Sequence, residues 1–307
     1  MISIIIPTLN AENCIHNLLS ALKNQSISCE IIIIDSSSED DTRGIAKSFD
    51  AEVIVIKRKD FNHGGTRNLG VHHTNSDTVV FLTQDALPTN EYAIENLIKP
   101  FFDNKDTVAA YGRQLPRQGA NPIEAYARLF NYPPTSLLKG STDISKLGIR
   151  TAFLSNAFAA YRRSTLLSIG GFPSNIIVNE DTYVAAKMLL EGWKIAYCAD
   201  AKVYHSHNYS FLEEFRRYFD IGVFHAEEPW IRERFGKAEP EGIKYVRSEL
   251  KYLLDNNFRL IPSALLRTAF KLVGYRLGFM EQRIPMWLKV FCSMNKQHWR
   301  NSQNWLV

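Results

Sequence analysis

The chain has 307 residues, of which 45% are hydrophobic and 22% charged; this suits one large α/β domain, or a domain with an appendage, rather than a disordered chain. Net charge is +4, yet residues 244–300 hold eleven Lys or Arg against three acids, so a basic tail follows a mildly acidic body and suggests an anionic partner. No uncharged apolar run reaches about 18 residues, which excludes a spanning helix, and Cys14, Cys29, Cys198 and Cys292 lack metal-ligand spacing and read as reduced thiols of a cytosolic protein.

A strand is predicted at once over Ile2 to Ile6, with no basic leader or cleavage site, so no signal peptide is expected. Pro7-Thr8-Leu9-Asn10 ends it, and Ile15, Leu18, Leu19 and Leu22 then recur at helical spacing. Glu30 to Ile34 is a second buried strand ending at Asp35. A carboxylate there can accept from a nucleobase N–H or a ribose hydroxyl, or it can simply cap the Ser36 to Thr42 loop. A helix over Arg43 to Phe49 and a strand over Glu52 to Ile56 complete a βαβαβ pattern, which argues for a parallel sheet with flanking helices.

In Phe61 to Gly70 the glycine pair lets backbone approach a ligand, and a helix is expected from Thr66. Arg67 in its first turn suits a phosphate or a nucleobase carbonyl, or a plain surface position. Neither G-x-G-x-x-G nor a Walker sequence occurs. Val79 to Leu82 is a buried strand that stops at Thr83-Gln84-Asp85, with Pro88 marking the exit. Asp85 lies where α/β sheets place ligands and is read as a metal ligand, because three other stretches converge on that rim.

A helix over 91–102 and a strand over Val108 to Leu115 follow, then a long, loosely patterned segment over 116–150. Phe153 to Tyr161 reads as a strand carrying Ser155 and Asn156. Asn179-Glu180-Asp181 opens an amphipathic helix, where acids either complement the helix dipole or supply a general base. Lys194 to Tyr197 and Lys202 to Tyr204 are extended pieces, and His205 and His207 can both reach a metal or a phosphate. A helix over 210–226 follows. Leu266, Phe270, Val273, Leu277 and Met280 then form a stripe flanked by Arg267, Lys271 and Arg276. It can pack on the body, form a dimer seam, or lie on an anionic membrane surface, and Trp287, Trp299 and Trp305 fit each case. Its aromatics follow a helical stripe and not a stacking platform, so no nucleic-acid partner is expected.

Ile4 to Asn10, Ile33 to Ser38, Phe81 to Pro88 and Asn179 to Asp181 together resemble family 2 glycosyltransferases of the GT-A fold, over roughly residues 1–215. Phe61 to Gly70 and Thr83-Gln84-Asp85 resemble bacterial rhamnosyltransferases of polysaccharide synthesis. The resemblance implies a Rossmann-like, mainly parallel sheet with flanking helices over 1–215, and a helical, basic extension over 216–307 for acceptor, membrane or dimer contacts. It implies a nucleotide site with Pro7, Thr8, Asp35, Arg67 and Gln84, and a divalent ion, Mg2+ or Mn2+, on Asp85 and His205. Glu180 and Asp181 match the acceptor-activating pair, with Asp181 the base. Thr83 replaces the first Asp of the family's metal motif, and Ser36 a frequent second Asp, which leaves one metal-motif carboxylate. The implied activity is inverting transfer of L-rhamnose from dTDP-L-rhamnose to a lipid-diphosphate-linked glycan, by a peripheral protein at the cytoplasmic membrane face. Another nucleotide sugar, or a non-catalytic scaffold, is the alternative. A nucleotidyltransferase would carry a Gly-rich basic loop after the first strand, which Pro7 to Asn13 lacks.

Overall fold

Buried apolar runs set the first half of the architecture. β1 (Ile2–Thr8), α1 (Glu12–Lys23), β2 (Glu30–Asp35), α2 (Thr42–Ser48), β3 (Glu52–Val55), α3 (His63–His73) and β4 (Thr78–Leu82) alternate along the chain. The computed structural model describes residues 1–302, so Trp305 lies outside the described residues. β3, β2, β1 and β4 are adjacent and parallel. Side chains along a strand alternate, so Ile4 and Ile6 pack under α1 while Ile5 joins Phe81 and Tyr161 on the opposite face.

Beyond β4 the sheet becomes mixed. After β5 (Leu87–Pro88) and α4 (Ala93–Asp103) come β6 (Thr107–Leu115), α5 (Pro122–Asn131), β7 (Leu137–Lys139), α6 (Ile144–Leu147) and β8 (Phe158–Arg162). Pro88 does pair, but on the edge strand, where its missing N–H costs no ladder bond. The segment read as loosely patterned holds real elements. Asn121 accepts from the Glu124 N–H at 3.0 Å and Pro122 fills the first helical turn, a start signal for α5. β8 begins at Phe158 and not at Phe153, because the Asn156 and Ala157 N–H groups donate to the side chains of Asp181 and Ser155 instead of to a strand.

α7 (Arg163–Ser168), α8 (Glu180–Leu190) and β9 (Lys194–Tyr204) complete this body. The two extended pieces expected near residue 200 are one strand, with a register shift opposite Gly112 and Arg113. β8 runs against both β4 and β6, and β9 runs with β6. The carboxyl ends of β1, β2, β4, β6 and β9 therefore share one edge, and the site is built there.

α9 (Phe211–Glu227), α10 (Pro229–Phe235), α11 (Glu239–Asn256), α12 (Ile261–Phe279), α13 (Met286–Cys292) and α14 (Lys296–Ser302) follow. α12 buries only part of its apolar stripe, with Leu277 against the core and Phe270 against Phe211. Its buried face is Ala264, Gly274 and Gly278, while Leu266 and Val273 are 49% and 51% exposed. A Cβ on Gly278 would lie 1.9 Å from the Phe219 carbonyl oxygen of α9. The two helix backbones touch here, so Gly278→Ala is expected to cost about 1–3 kcal/mol through overpacking, read as a lower urea midpoint with an unchanged m-value.

Candidate active site

Asp85 sits just beyond β4, and His205 follows the last residue of β9. His205 Nε2 lies 3.4 Å from Asp85 Oδ1, and His207 Nδ1 lies 3.8 Å from Asp85 Oδ2. The three side chains offer ligand atoms that all fall within 4.8 Å of one another, the spacing of a cation site. His205 Nδ1 meets Gln114 Oε1 at 2.8 Å. An amide oxygen only accepts, so the Nδ1 proton is fixed there and Nε2 turns a lone pair toward Asp85. Burial, then nearby arginines, keep His205 below its usual range, and burial with His205 pushes His207 down to about 4. Burial works against charge on Asp85; protons carried by His205 and His207, with the Thr83 hydroxyl, would hold the carboxyl below its usual range, and with both imidazoles neutral a bound cation would take that part. A carboxylate facing two neutral imidazoles suits a divalent cation. Arg117, which the sequence reading did not single out, donates to Asp85 Oδ2 at 3.1 Å and to its carbonyl at 2.9 Å. The signal for it was its place just after β6, on the same edge.

The acid pair opens α8. Asn179 before it takes a left-handed φ of 64°, a conformation asparagine tolerates better than most residues. Glu180 is buried, 2.9 Å from Arg67 Nη1, and accepts from Asn156 Nδ2 at 3.2 Å. Burial alone would raise the Glu180 carboxyl, but Arg67 and then His63 hold it below its usual range. Asp181 feels the Arg67 charge only weakly. Burial first, and the charge of Glu180 second, push it up to about 7. Its oxygens accept from the Asn156 and Thr182 N–H groups at 3.0 and 2.7 Å, which leaves lone pairs for another proton.

Ser155 and Asn156 link the two clusters. Gln114 Nε2 donates to Ser155 Oγ at 3.0 Å while its oxygen holds His205, and the Asn156 N–H holds Asp181. One loop thus fixes both Asp181 and the imidazole beside Asp85.

Next to them lies a cleft of 510 Å3 whose lining includes Pro7, Thr8, Ser36, Arg58, Arg67 and Gln84. Met294, Asn295 and Arg300 close one side, because the Asp220 carboxylate accepts from the Met294 and Asn295 N–H groups and turns the chain back. Helical periodicity carries no signal for that return. The buried Ser36 Oγ and Arg67 Nε have no hydrogen-bond partner among the described residues. Asp35 is fully buried and does not line the cleft; it caps its own loop through Ser38, accepts from Thr8 Oγ1 at 3.1 Å and faces Arg43. Gln84 reaches the cleft wall, but its amide accepts from the Leu9 N–H at 2.9 Å and donates to the Leu9 carbonyl at 3.2 Å.

α3 starts at His63, three residues earlier than expected, because Asn62 caps it by accepting from the Gly65 N–H at 2.6 Å. That earlier start brings Arg67 under the cleft floor, only 6% exposed. Arg67→Ala is expected to cost about 3–5 kcal/mol, since it strands the Glu180 charge in a buried site. Denaturant melts would read it, with Arg67→Lys retaining part of the loss.

Residues 3–170 match the family model described as glycosyl transferase family 2. The chain is 48% identical over 305 residues to the O-antigen chain rhamnosyltransferase RfbN of Salmonella typhimurium, spanning 98% of this chain and 97% of that protein. It is likewise 48% identical to the O-antigen chain rhamnosyltransferase WbaN of Salmonella anatum, spanning 98% and 96%. Among solved structures it resembles the mannosyltransferase PcManGT of Pyrobaculum calidifontis, with a TM-score of 0.64 at 16% identity over 92% of this chain and 88% of that one. That likeness is one of fold.

Proposed function

From the premise that the chain belongs to glycosyl transferase family 2, we propose that it is an inverting rhamnosyltransferase of O-antigen-type polysaccharide synthesis. It moves L-rhamnose from dTDP-β-L-rhamnose to a hydroxyl of a lipid-diphosphate-linked glycan and leaves an α-linked product. The choice of sugar rests on the likeness to the two Salmonella rhamnosyltransferases. The observation that carries the chemistry is Asp181, a carboxylate raised to about 7 and joined through Asn156 and Ser155 to the residues around Asp85.

Asp181 accepts the proton of the acceptor hydroxyl as that oxygen bonds to the anomeric carbon. The bond from the anomeric carbon to the diphosphate oxygen breaks on the opposite face, and the electron pair leaves with the nucleotide. Glu180 and Arg67 stay paired, so the charge beside Asp181 is fixed through the step. Asp85, His205 and His207 are the residues that would hold a divalent ion, which when bound offsets charge developing on the diphosphate. Pro7, Thr8 and Arg67 face the nucleotide from the cleft. Asp35 and Gln84 would reach it only by releasing Thr8 and Leu9.

Among the described residues no helix is long and apolar enough to cross a membrane. Leu254, Phe258, Leu265 and Leu272 are exposed near the likewise exposed Lys251 and Arg259, a composition suited to an anionic lipid surface at the cytoplasmic face. Sedimentation with phosphatidylglycerol vesicles separates this from a homodimer seam, which would give a lipid-independent dimer.

The donor assignment is tested by titrating the protein with dTDP-L-rhamnose, UDP-glucose and GDP-mannose, each with and without Mn2+. Selective, metal-enhanced binding of dTDP-L-rhamnose is expected. Preference for another nucleotide sugar discards rhamnose, and no binding to any of the three favours a scaffold.

A further inference from the structure

A second cleft, of 200 Å3, opens on the far side of His207, between α5, the 207–209 turn, α9, α11 and α12. The sequence reading placed Arg267 and Lys271 beside an apolar stripe, but they turn inward and meet Glu214 Oε1 at 3.3 and 3.5 Å. Glu214 is 8% exposed, and its second oxygen, Oε2, has no hydrogen-bond partner among the described residues. Arg128 and Arg267 line the same cleft, and their buried Nε atoms have no hydrogen-bond partner among the described residues. The side chains that carry these groups line one cleft and bring both acids and arginines to its walls, which suits a polar ligand.

The pattern of these groups selects the ligand's chemistry. A phosphate or diphosphate offers acceptors only, and would meet the unpaired oxygen of Glu214 and the carboxylate of Glu124 across the cleft. A hydroxyl both donates and accepts. Neighbouring hydroxyls can donate to the Glu124 carboxylate while accepting from Arg217, which a row of lysines would not achieve. Tyr209, Tyr218 and Tyr245 add ring surface to the same walls, suited to an apolar C–H face with polar edges. The volume corresponds to about seven waters at ~30 Å3 each, the scale of one sugar ring. Arg217 extends over the Tyr209 ring, 5.9 Å from its centroid, and forms no ion pair among the described residues.

The cleft also adjoins the reacting groups. His207 lines it, and Arg128 Nη1 donates at 2.7 Å to the same Gln114 oxygen that meets His205. We infer that this cleft is a subsite for one neutral pyranose of the acceptor glycan, held by Glu124, Arg128, Glu214, Arg217 and Arg267. The inference rests on the glycosyl-transfer reading, because it takes the sugar to be part of an acceptor.

Saturation-transfer NMR on the full chain, with methyl pyranosides of mannose, galactose, glucose and rhamnose and with inorganic pyrophosphate as competitor, tests it. dTDP is held at saturation so that the donor cleft is filled. At least one pyranoside is expected to bind, to resist pyrophosphate, and to lose about tenfold in affinity in Glu124→Gln and Arg217→Ala. Those two positions are less enclosed than Glu214, so their variants keep the test readable if Glu214→Gln fails to fold. Absence of binding by every pyranoside, displacement by pyrophosphate, or affinities unchanged in both variants overturns the subsite. Metal-dependent hydrolysis of the nucleotide sugar, measured in parallel, reports on the transferase reading alone. Hydrolysis without pyranoside binding sinks only the subsite, whereas cleft-dependent pyranoside binding without hydrolysis upholds the subsite and counts against the donor assignment.

Discussion

Asp181→Asn is expected to lower turnover by about 10³-fold while dTDP-L-rhamnose still binds, because a positioned general base contributes typically ~10²–10⁴. The substitution keeps the shape of the side chain and an oxygen for the Asn156 or Thr182 N–H, so the loop is held. What it removes is the ability to take a proton. The pH profile follows from the same group. A base raised to about 7 is protonated and idle at pH 6 and ionised by pH 8, so kcat/KM of the parent rises through that window. Glu180 contributes to the elevation as a like charge. Glu180→Gln therefore lowers the Asp181 pKa and moves the limb to more acidic pH. An acidic limb that survives in Asp181→Asn, or one unmoved in Glu180→Gln, assigns the base to another residue.

The elements that position this site were largely legible, since β1, β2 and β4 are apolar runs buried on both faces; β1 and β2 end in Thr8 and Asp35 at the shared edge, and β4 ends in Leu82 just before Thr83. Asp85, His205 and His207 lie together because the sheet order places β4 and β9 ends on that edge, and the strand-end position of two of them was visible. What could not be read was which partner each polar side chain would take. Arg67 and Glu180 are 113 residues apart and form a buried pair, so an arginine expected at the nucleotide is committed first to an acid. Asn156 acts on Asp181 through its backbone N–H, a group every residue but proline owns, and nothing in its side chain announces that role.

α12 shows a different limit. Its inward row is Ala264, Arg267, Lys271, Gly274 and Gly278, a heptad-like spacing of three and four. The apolar stripe Leu266, Phe270, Val273 and Leu277 has the same spacing one residue earlier, rotated by about 100°. Reading hydrophobicity alone selects a row that is only half-buried, because glycine buries backbone against backbone and the two cations bury against Glu214. The rows that pack are those whose unmet demand is geometric or ionic, and neither is counted by an apolar period.

The residues around Asp85 separate the two ways a metal-type site can fail. Asp85→Asn removes the sole carboxylate of the three, and is expected to reduce turnover by roughly 10²–10³-fold at any Mn2+ concentration, because a neutral amide cannot replace the charge. Gln114→Ala leaves all three side chains in place but frees the His205 ring to rotate and to carry its proton on Nε2, facing Asp85. That variant should need about 10–100-fold more Mn2+ for half-maximal donor binding and recover parental turnover once Mn2+ saturates. The two titrations give opposite signatures, a lowered plateau against a shifted midpoint. A lowered plateau in Gln114→Ala would mean that Gln114 acts on the reacting sugar itself, through Ser155 or Arg128, and not through the imidazole. Parental turnover and parental Mn2+ dependence in Asp85→Asn would remove Asp85 from the chemistry and leave its pairing with Arg117 as a structural contact that ties the 116–117 turn to the end of β4.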